Sequence, residues 1–432
     1  MWYKLKLWWN NPAENLWFTP ALGAIFAIFF SLFATFSRYI IPADIVPNIS
    51  IGTISSLLDI IASSMLAVTT FSLSIMVAAF ASASSSGTPR AYKLMMSDDR
   101  TRLAITSFIS AFIYAVIAKI ALGLEYYGIQ GRFVLFISTI LVLIYLIITL
   151  IRWVQTLSQL GTLTTTIAKI EAAASESIAR YRLHSHFGAG QERPSTSPLF
   201  NIHSPKTGYL ANLDFQSLNQ LAEKNQLHFH IPHSPGKLLD PTSVIIEVHG
   251  KSPLDQEPTS ELITALSEQI NQYFWIDHNR SFEQDPRFGL LVMSEVAQKA
   301  MSSAINDVGS AISAINALTR ILIDSSPEES WTQPDYPHLS LNMFNPELLI
   351  LDIFTPLVRD CASNLVLQLR ILKSLSMIHT NVAEPALCQA AERMATDLLY
   401  RSMHYFDFEA DRLQLMNEFH QLFPQIEFQP NM

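Results

Sequence analysis

The chain has 432 residues, of which 49% are hydrophobic and 15% charged, and its net charge is −9 at neutral pH. This acidic balance argues against nucleic acid as the main partner, and the two cysteines are too far apart in the sequence to indicate a disulfide framework. The apolar runs end near residue 155, whereas most charges follow it, so the composition indicates a membrane domain followed by soluble material.

The N-terminal part reads as an interfacial segment followed by four membrane spans. Residues 1–17 are rich in tryptophan, which is typical of an amphipathic segment lying among lipid headgroups. Four apolar stretches follow within residues 18–155, each near the ~20 residues that a helical span requires. They cover 18–36, 57–83, 103–124 and 133–151. The fold class predicted here is a mainly α membrane protein with four transmembrane helices.

The second span is unusual because hydroxyl side chains recur on nearly every turn and Asp59 is its only ionisable residue. Hydroxyl and small residues in a span favour close helix contact or a wet lining over a lipid face. We therefore expect this span to be the inner helix of a homo-oligomer. The residues predicted to line a pathway are Asp59, Ser63, Thr70 and Ser74. Two alternatives stay open: the hydroxyls serve helix packing, and the carboxylate is solvated at the outer interface.

The distribution of lysine and arginine predicts the orientation. One side of the membrane receives most of them: Lys4, Lys6, Arg90, Lys93, Arg100, Arg102 and Arg152. The other side has Arg38 and Arg132, with Lys119 close enough to its helix end to reach the interface. Because cytoplasmic loops carry the excess of positive charge, the first group should be cytoplasmic. Four spans then place both termini in the cytoplasm.

The remaining chain is predicted as a cytoplasmic part with a small β-rich module and a helical domain. A helical extension and linker at 156–205 leads to the module at 206–252, and the helical domain covers 253–432. The module has three β-rich pieces and one short helix, at 209–213, 227–231, 244–248 and 215–224. Within the helical domain, a proline-rich loop is expected at 325–345, followed by three helices that end near residue 423.

Histidines cluster in and around the β-rich module. His228 and His230 share one face of a predicted strand, and His233 follows three residues later, beyond Pro232. Imidazoles so placed suit Zn²⁺ or another borderline metal, although no second metal-ligand motif supports the site. Surface histidines and a pH-sensing cluster are the alternatives, since an unperturbed imidazole titrates near pH 6.5.

Two short acidic segments form a second candidate site. Glu283, Asp285, Asn306 and Asp307 would give a hydrophilic cytoplasmic site if they converged, and such oxygen ligands suit Mg²⁺ or Ca²⁺. The alternative is local structure. An aspartate before a proline signals a helix start, and Asn306 or Asp307 can cap the helix that follows.

Several segments in order along the chain carry a family resemblance. They read ENLWFTP, SSSGTPRAYKLMMSDDRTR, GYLANLDFQSL, EQDPRFGL and AIND. The chain resembles the bacterial membrane proteins catalogued as domain of unknown function 2254, and the resemblance covers nearly its whole length. It implies a multi-pass protein of the bacterial inner membrane and no established activity. The sequence departs from the family where AIND usually continues with Pro-Phe, because Val308 and Gly309 follow here.

The chain lacks a nucleophile elbow, a phosphate-binding loop and a dinucleotide fingerprint, so we expect neither an enzyme nor a bound cofactor. The function predicted from the sequence is an oligomeric ion channel or small-solute permeation protein, whose partners are the lipid bilayer, further copies of the chain and inorganic ions. The alternative is a non-conducting scaffold or sensor whose cytoplasmic domain binds a ligand or protein. A weaker third interpretation is a membrane-bound enzyme with a metal site at Glu283, Asp285 and Asp307.

Overall fold

A computed structural model describes the chain in several stretches. They are 21, 23–26, 28–29, 42, 46–91, 94, 99–124, 127–183, 185–250, 260–325, 334–342 and 344–426. The chain divides into two compact units, Met1–Thr166 and Ile167–Met432. The predicted interfacial segment at 1–17 lies outside the described residues, and the predicted span at 18–36 is described only at a few helical positions.

Three long apolar helices dominate the described part of the first unit. They are α1, Ile51–Ser86; α2, Asp99–Gly123; and α3, Ile129–Leu157. Each contains a stretch long and apolar enough to cross a membrane, at Ile51–Ser82, Thr101–Gly123 and Ile129–Leu157. These helices coincide with the second, third and fourth predicted spans. Their core includes Leu58 from α1, Phe108 from α2 and Leu135 from α3.

The turn after α3 packs against the end of α1. Gly161 has a φ of +75°, a left-handed conformation that favours glycine, and a Cβ placed there would lie 2.9 Å from the carbonyl oxygen of Ala79. Ser82 Oγ donates to the Gly161 carbonyl at 3.4 Å. This turn therefore needs glycine for both its backbone conformation and its close approach to α1.

Helix α4, Leu163–Leu183, carries the chain into the second unit, which contains two sheets. The five-stranded sheet has the order β1-β8-β4-β6-β2 and the three-stranded sheet the order β5-β3-β7. The strands are β1 Ala189–Gly190, β2 Phe200–His203, β3 Gly208–Leu213, β4 Leu227–Ile231, β5 Leu238–Leu239, β6 Val244–Gly250, β7 Phe274–Asp277 and β8 Tyr336–Leu341. One face of the larger sheet is apolar and packs on α5, Phe215–Lys224.

The three predicted β-rich pieces are strands β3, β4 and β6, and the predicted short helix is α5. The sheets, however, also use strands from outside 206–252. Strand β8 lies within the stretch 325–345 that the sequence predicted as a loop, so that prediction was wrong. Leu339 and Leu341 of β8 pair in parallel with Phe229 and Ile231 of β4. This pairing stabilises a strand even though prolines near its start disfavour one.

Helix α6, Ser260–Asn271, packs in the core of the sheets through Leu266 and Ile270. The later helices of the second unit form a bundle. They are α7 Pro286–Ala300, α8 Val308–Asp324, α9 Leu348–Asp360, α10 Leu365–Asn381, α11 Pro385–Met403 and α12 Glu409–Leu422. Four helices, not the predicted three, follow residue 346. The turns between them are short and lack glycine; the start of α10, for example, is set by Asn364, whose side chain accepts from Leu367 N at 3.1 Å.

Close packing of α7 against α4 depends on one glycine and gives a testable prediction. A Cβ on Gly289 would lie 2.5 Å from Ala174 Cβ and 2.9 Å from Ala174 Cα. We expect Gly289→Ala to lower the free energy of unfolding by about 1–3 kcal/mol through overpacking. Gly309→Ala is the control, because a Cβ there meets only Asp307 Oδ1 at 3.5 Å. Equal thermal stability of the two variants in detergent would contradict this packing.

Candidate functional site

Asp59 forms an ion pair with Lys119, which joins α1 to α2 within the candidate membrane spans. The side chain of Lys119 is 48% exposed and that of Asp59 53% exposed. Charged side chains are costly against lipid tails and normally face protein or water inside a membrane. This exposed pair therefore marks a surface suited to contact with another protein or with water. The sequence predicted that Lys119 reaches the membrane interface. It did not predict that Lys119 pairs with Asp59.

The four residues predicted to line a pathway lie on one exposed face of α1. With 3.6 residues per turn, Asp59, Ser63, Thr70 and Ser74 fall within a sector of about 60°. All four are exposed, whereas the opposite side of α1 is buried against α2 and α3. We call these four residues the polar face of α1. The face spans about four turns, since its ends are 15 positions apart, and the exposed Leu66 and Ala67 lie beside it between Ser63 and Thr70.

The hydroxyl groups of the polar face donate to their own helix. Ser63 Oγ donates to the Asp59 carbonyl at 2.7 Å, Thr70 Oγ1 to the Ala67 carbonyl at 2.9 Å, and Ser74 Oγ to the Thr70 carbonyl at 3.0 Å. Because each proton is used within the helix, the oxygen lone pairs remain to accept from outside. The polar face therefore offers hydrogen-bond acceptors and, at one end, a carboxylate paired with an ammonium.

The predicted histidine site is only partly assembled. His228 and His230 on β4 both contact Ser340 on β8, through His228 Nε2 at 3.0 Å and His230 Nδ1 at 2.8 Å. His233 does not join them. The structure instead brings in His249 of β6, which lies opposite His228 in the antiparallel ladder. We call His228, His230 and His249 the histidine cluster.

The histidine cluster lies on the polar face of the larger sheet, beside an ion pair. His230 and His249 are almost completely buried. Arg193 makes a bidentate pair with Glu247 at 2.8 and 2.9 Å, and His249 Nε2 lies 3.6 Å from the same carboxylate. In the part of the chain that the structure describes, no three histidine, cysteine, aspartate or glutamate side chains lie close enough to hold a metal ion. The predicted metal site at His228, His230 and His233 therefore finds no geometric support.

The histidine cluster predicts acid sensitivity. Burial, followed by the neighbouring His249, His230 and His338, lowers the pKa of His228 to about 4, and burial lowers the pKa of His230. An unfolded histidine titrates near 6.5, so between about pH 6.5 and 4 the unfolded chain binds more protons than the folded one. The stability that these neutral imidazoles contribute is present above pH 6.5 and is lost as the pH falls towards 4.

We therefore expect the thermal unfolding midpoint of the full chain in detergent to fall between pH 7 and pH 5. His228→Gln should flatten this dependence, because glutamine keeps a polar group beside Ser340 without a titrating proton. His203→Gln, at an exposed position on β2, is the control and should behave like the wild type. A wild-type midpoint that stays constant across this range would contradict the lowered pKa values of His228 and His230.

The segment Glu283 to Arg287, which belongs to the EQDPRFGL motif of the family resemblance, connects β3 to the start of α7. Asn212 Nδ2 donates to Glu283 Oε2 at 3.3 Å. Gln284 bonds both backbone groups of Leu213, accepting from its N–H at 2.7 Å and donating to its carbonyl at 3.0 Å. Arg287 pairs with Asp352 of α9. The segment therefore ties the smaller sheet to the helical bundle.

Asp285 is the centre of this connection. Its side chain is 1% exposed, binds the Arg280 guanidinium through two bonds of 2.6 and 2.9 Å, and caps α7 by accepting from Arg287 N at 3.2 Å. Burial raises the pKa of Asp285, and Arg280 opposes that shift. Gly236, with a φ of +94°, lies against the same carboxylate so closely that a Cβ would collide with it.

Asn306 and Asp307 lie at the other end of α7, so the four predicted polar residues do not form one site. The 15 residues of α7 separate Asp285 from that end by about 22 Å. Asp307 caps α8, accepting from Ser310 N at 3.0 Å and Ser310 Oγ at 2.6 Å. Asn306 forms the preceding turn with a φ of +48°. Helix capping, the alternative raised from the sequence, accounts for Asp285 and Asp307.

Comparison with known proteins identifies a family. A family model described as predicted membrane protein, DUF2254, matches residues 13–377. The match extends over most of both compact units and includes α1, the histidine cluster and the segment around Asp285. No curated protein and no solved structure matches the chain.

Proposed function

This chain belongs to the DUF2254 family of predicted membrane proteins, and we propose that it forms an oligomeric ion channel or small-solute permeation protein lined by the polar face of α1. The observation that carries the proposal is the exposure of Asp59, Ser63, Thr70 and Ser74 on one side of a candidate membrane span. Charged and hydroxyl-bearing side chains are less stable against lipid tails than against water or protein, where they can form hydrogen bonds.

The small number of spans supports the proposed oligomer. Among the described residues, α2 and α3 pack against the opposite side of α1 and leave its polar face outside their shared core. The described part of one chain therefore encloses no path along that face. Copies arranged around a common axis would turn the polar faces inward. The path would then have rings of hydroxyl oxygens along it and a ring of Asp59–Lys119 pairs towards one end.

The distribution of basic residues supports a proposed location in the membrane. The basic residues favour one side of the spans, and this bias supports a bacterial inner-membrane protein with both termini in the cytoplasm. Unit Ile167–Met432 would then act on the cytoplasmic side as a vestibule or gate. Neither a catalytic step nor a cofactor enters the proposal.

A non-conducting scaffold or sensor is the second candidate, and the hydroxyl geometry favours it. Because Ser63, Thr70 and Ser74 already donate to their own helix, they also fit a dry helix-helix contact between copies. In that case the polar face would still be an interface, but it would carry no water. The soluble unit would then hold a protein or small-molecule partner.

Flux measurements on reconstituted protein separate the two candidates. The purified full chain would be sized in detergent and then placed in liposomes that report potassium and chloride movement. The channel proposal expects a defined oligomer and a flux above that of empty liposomes. An oligomer with tight liposomes would favour the scaffold, and a monomer with tight liposomes would contradict both the path and the shared interface.

A further inference from the structure

A cavity of about 530 Å³ lies between the beginning of α2 and the second half of α3. Its apolar wall includes Leu103 and Ala104 of α2, and its polar wall includes Arg152, Gln155 and Gln159 from α3 and the turn after it. A volume of this size falls in the range of small-molecule sites, about 300–1,000 Å³. The cavity lies within the first unit and away from the polar face of α1.

Two groups in the cavity wall have unused capacity to bind an anion. Trp153 is 2% exposed, and its indole Nε1–H is buried without a hydrogen-bond partner. Arg152 is exposed, and its guanidinium forms no ion pair with the carboxylates that the structure describes. Leaving a buried donor unsatisfied costs about 1–3 kcal/mol, so a bound acceptor would stabilise the indole N–H.

The geometry points to this cavity as a binding site for the phosphate-bearing headgroup of an anionic phospholipid. Arginine matches a phosphate through parallel N–H donors, and Trp153, the next residue of α3, has an indole N–H as a further donor. The amides of Gln155 and Gln159 are suited to hydroxyl groups on the headgroup.

The surroundings favour a lipid over free phosphate. Both walls belong largely to candidate membrane spans. Beside the cavity, α3 exposes an apolar surface along which acyl chains can lie; it includes Ile144, Ile148 and Ile151. Arg152 also lies on the side of the spans that carries most of the lysine and arginine residues. Positive side chains at that membrane surface attract anionic lipid headgroups. A free phosphate ion would gain nothing from the apolar surface.

Native mass spectrometry of the delipidated full chain in detergent tests this site, using an equal mixture of phosphatidylglycerol and phosphatidylcholine. We expect phosphatidylglycerol to be retained about tenfold over phosphatidylcholine. Arg152→Gln should abolish most of that preference, and Trp153→Phe should reduce it while keeping an aromatic ring in the core. Arg90→Gln is the matched control, because Arg90 is an exposed arginine of the same unit that does not line the cavity.

Competition with millimolar inorganic phosphate distinguishes the two sources of the anion. Retained phosphatidylglycerol in the presence of phosphate supports a lipid site. Displacement by phosphate would assign the cavity to a free anion and overturn the lipid. Equal retention of the two lipids, or an unchanged preference in Arg152→Gln, would also overturn the proposal. Because Arg152 is exposed, its replacement is compatible with folding.

Discussion

Replacing Arg280 with alanine is expected to destabilise the second unit by about 3–5 kcal/mol, because it leaves a buried carboxylate without its partner. Asp285 is 1% exposed, and both of its oxygens bind the Arg280 guanidinium. The remaining donor, the backbone N–H of Arg287, cannot replace two charge-assisted bonds. Thermal and urea unfolding of the full chain in detergent would measure the loss.

Arg193→Ala is the matched control for this prediction. Arg193 also binds a carboxylate through two bonds, at 2.8 and 2.9 Å to Glu247, but its side chain is 56% exposed. The Glu247 side chain is 14% exposed and solvent reaches the pair through Arg193, so we expect a smaller loss than at the fully buried Asp285. If the two variants were equally stable, Asp285 would not be the buried centre of the connection between sheet and bundle.

Asp59→Asn is expected to reduce potassium flux about tenfold, which corresponds to about 1.4 kcal/mol in the barrier. The change removes the carboxylate and leaves the Lys119 ammonium unpaired beside the proposed path. Uncompensated positive charge raises the energy of a nearby cation and lowers that of an anion. Chloride flux should therefore fall less than potassium flux, or rise.

The double variant Asp59→Asn with Lys119→Gln is the control, since it removes both charges together. It should restore much of the potassium flux, because the ammonium is then absent. A flux unchanged by Asp59→Asn and by the double variant would show that the Asp59–Lys119 pair lies away from the path.

How much the sequence predicted depends on the range of the interactions involved. The 3.6-residue period placed Asp59, Ser63, Thr70 and Ser74 on one helix face, because that relation is local. The helix caps at Asp285 and Asp307 were also readable from their neighbours. Strand β8 was missed because its pairing partner, β4, lies more than 100 residues earlier in the chain.

Partners brought together by tertiary packing could not be predicted in the same way. Arg280 and Gly236 are single residues that contact Asp285 only because a turn and the start of a helix meet in the folded chain. No sequence pattern marks either residue as a neighbour of Asp285. His249 joined the histidine cluster in place of His233 because β6 lies opposite β4 in the ladder. The period-two pattern fixed the face of His228 and His230 but not the neighbouring strand.

Thiol block of flux tests the proposed path most directly. Single cysteines at Ser63, Thr70 and Ser74, with Cys361 and Cys388 replaced by serine, would be treated with a charged, water-soluble thiol reagent in flux-active liposomes. Thr69→Cys is the control, because Thr69 is partly buried and lies off the polar face. We predict strong block at the three positions on the polar face and none at residue 69. Unreactive cysteines at all three positions, with flux intact, would contradict a path along the polar face of α1.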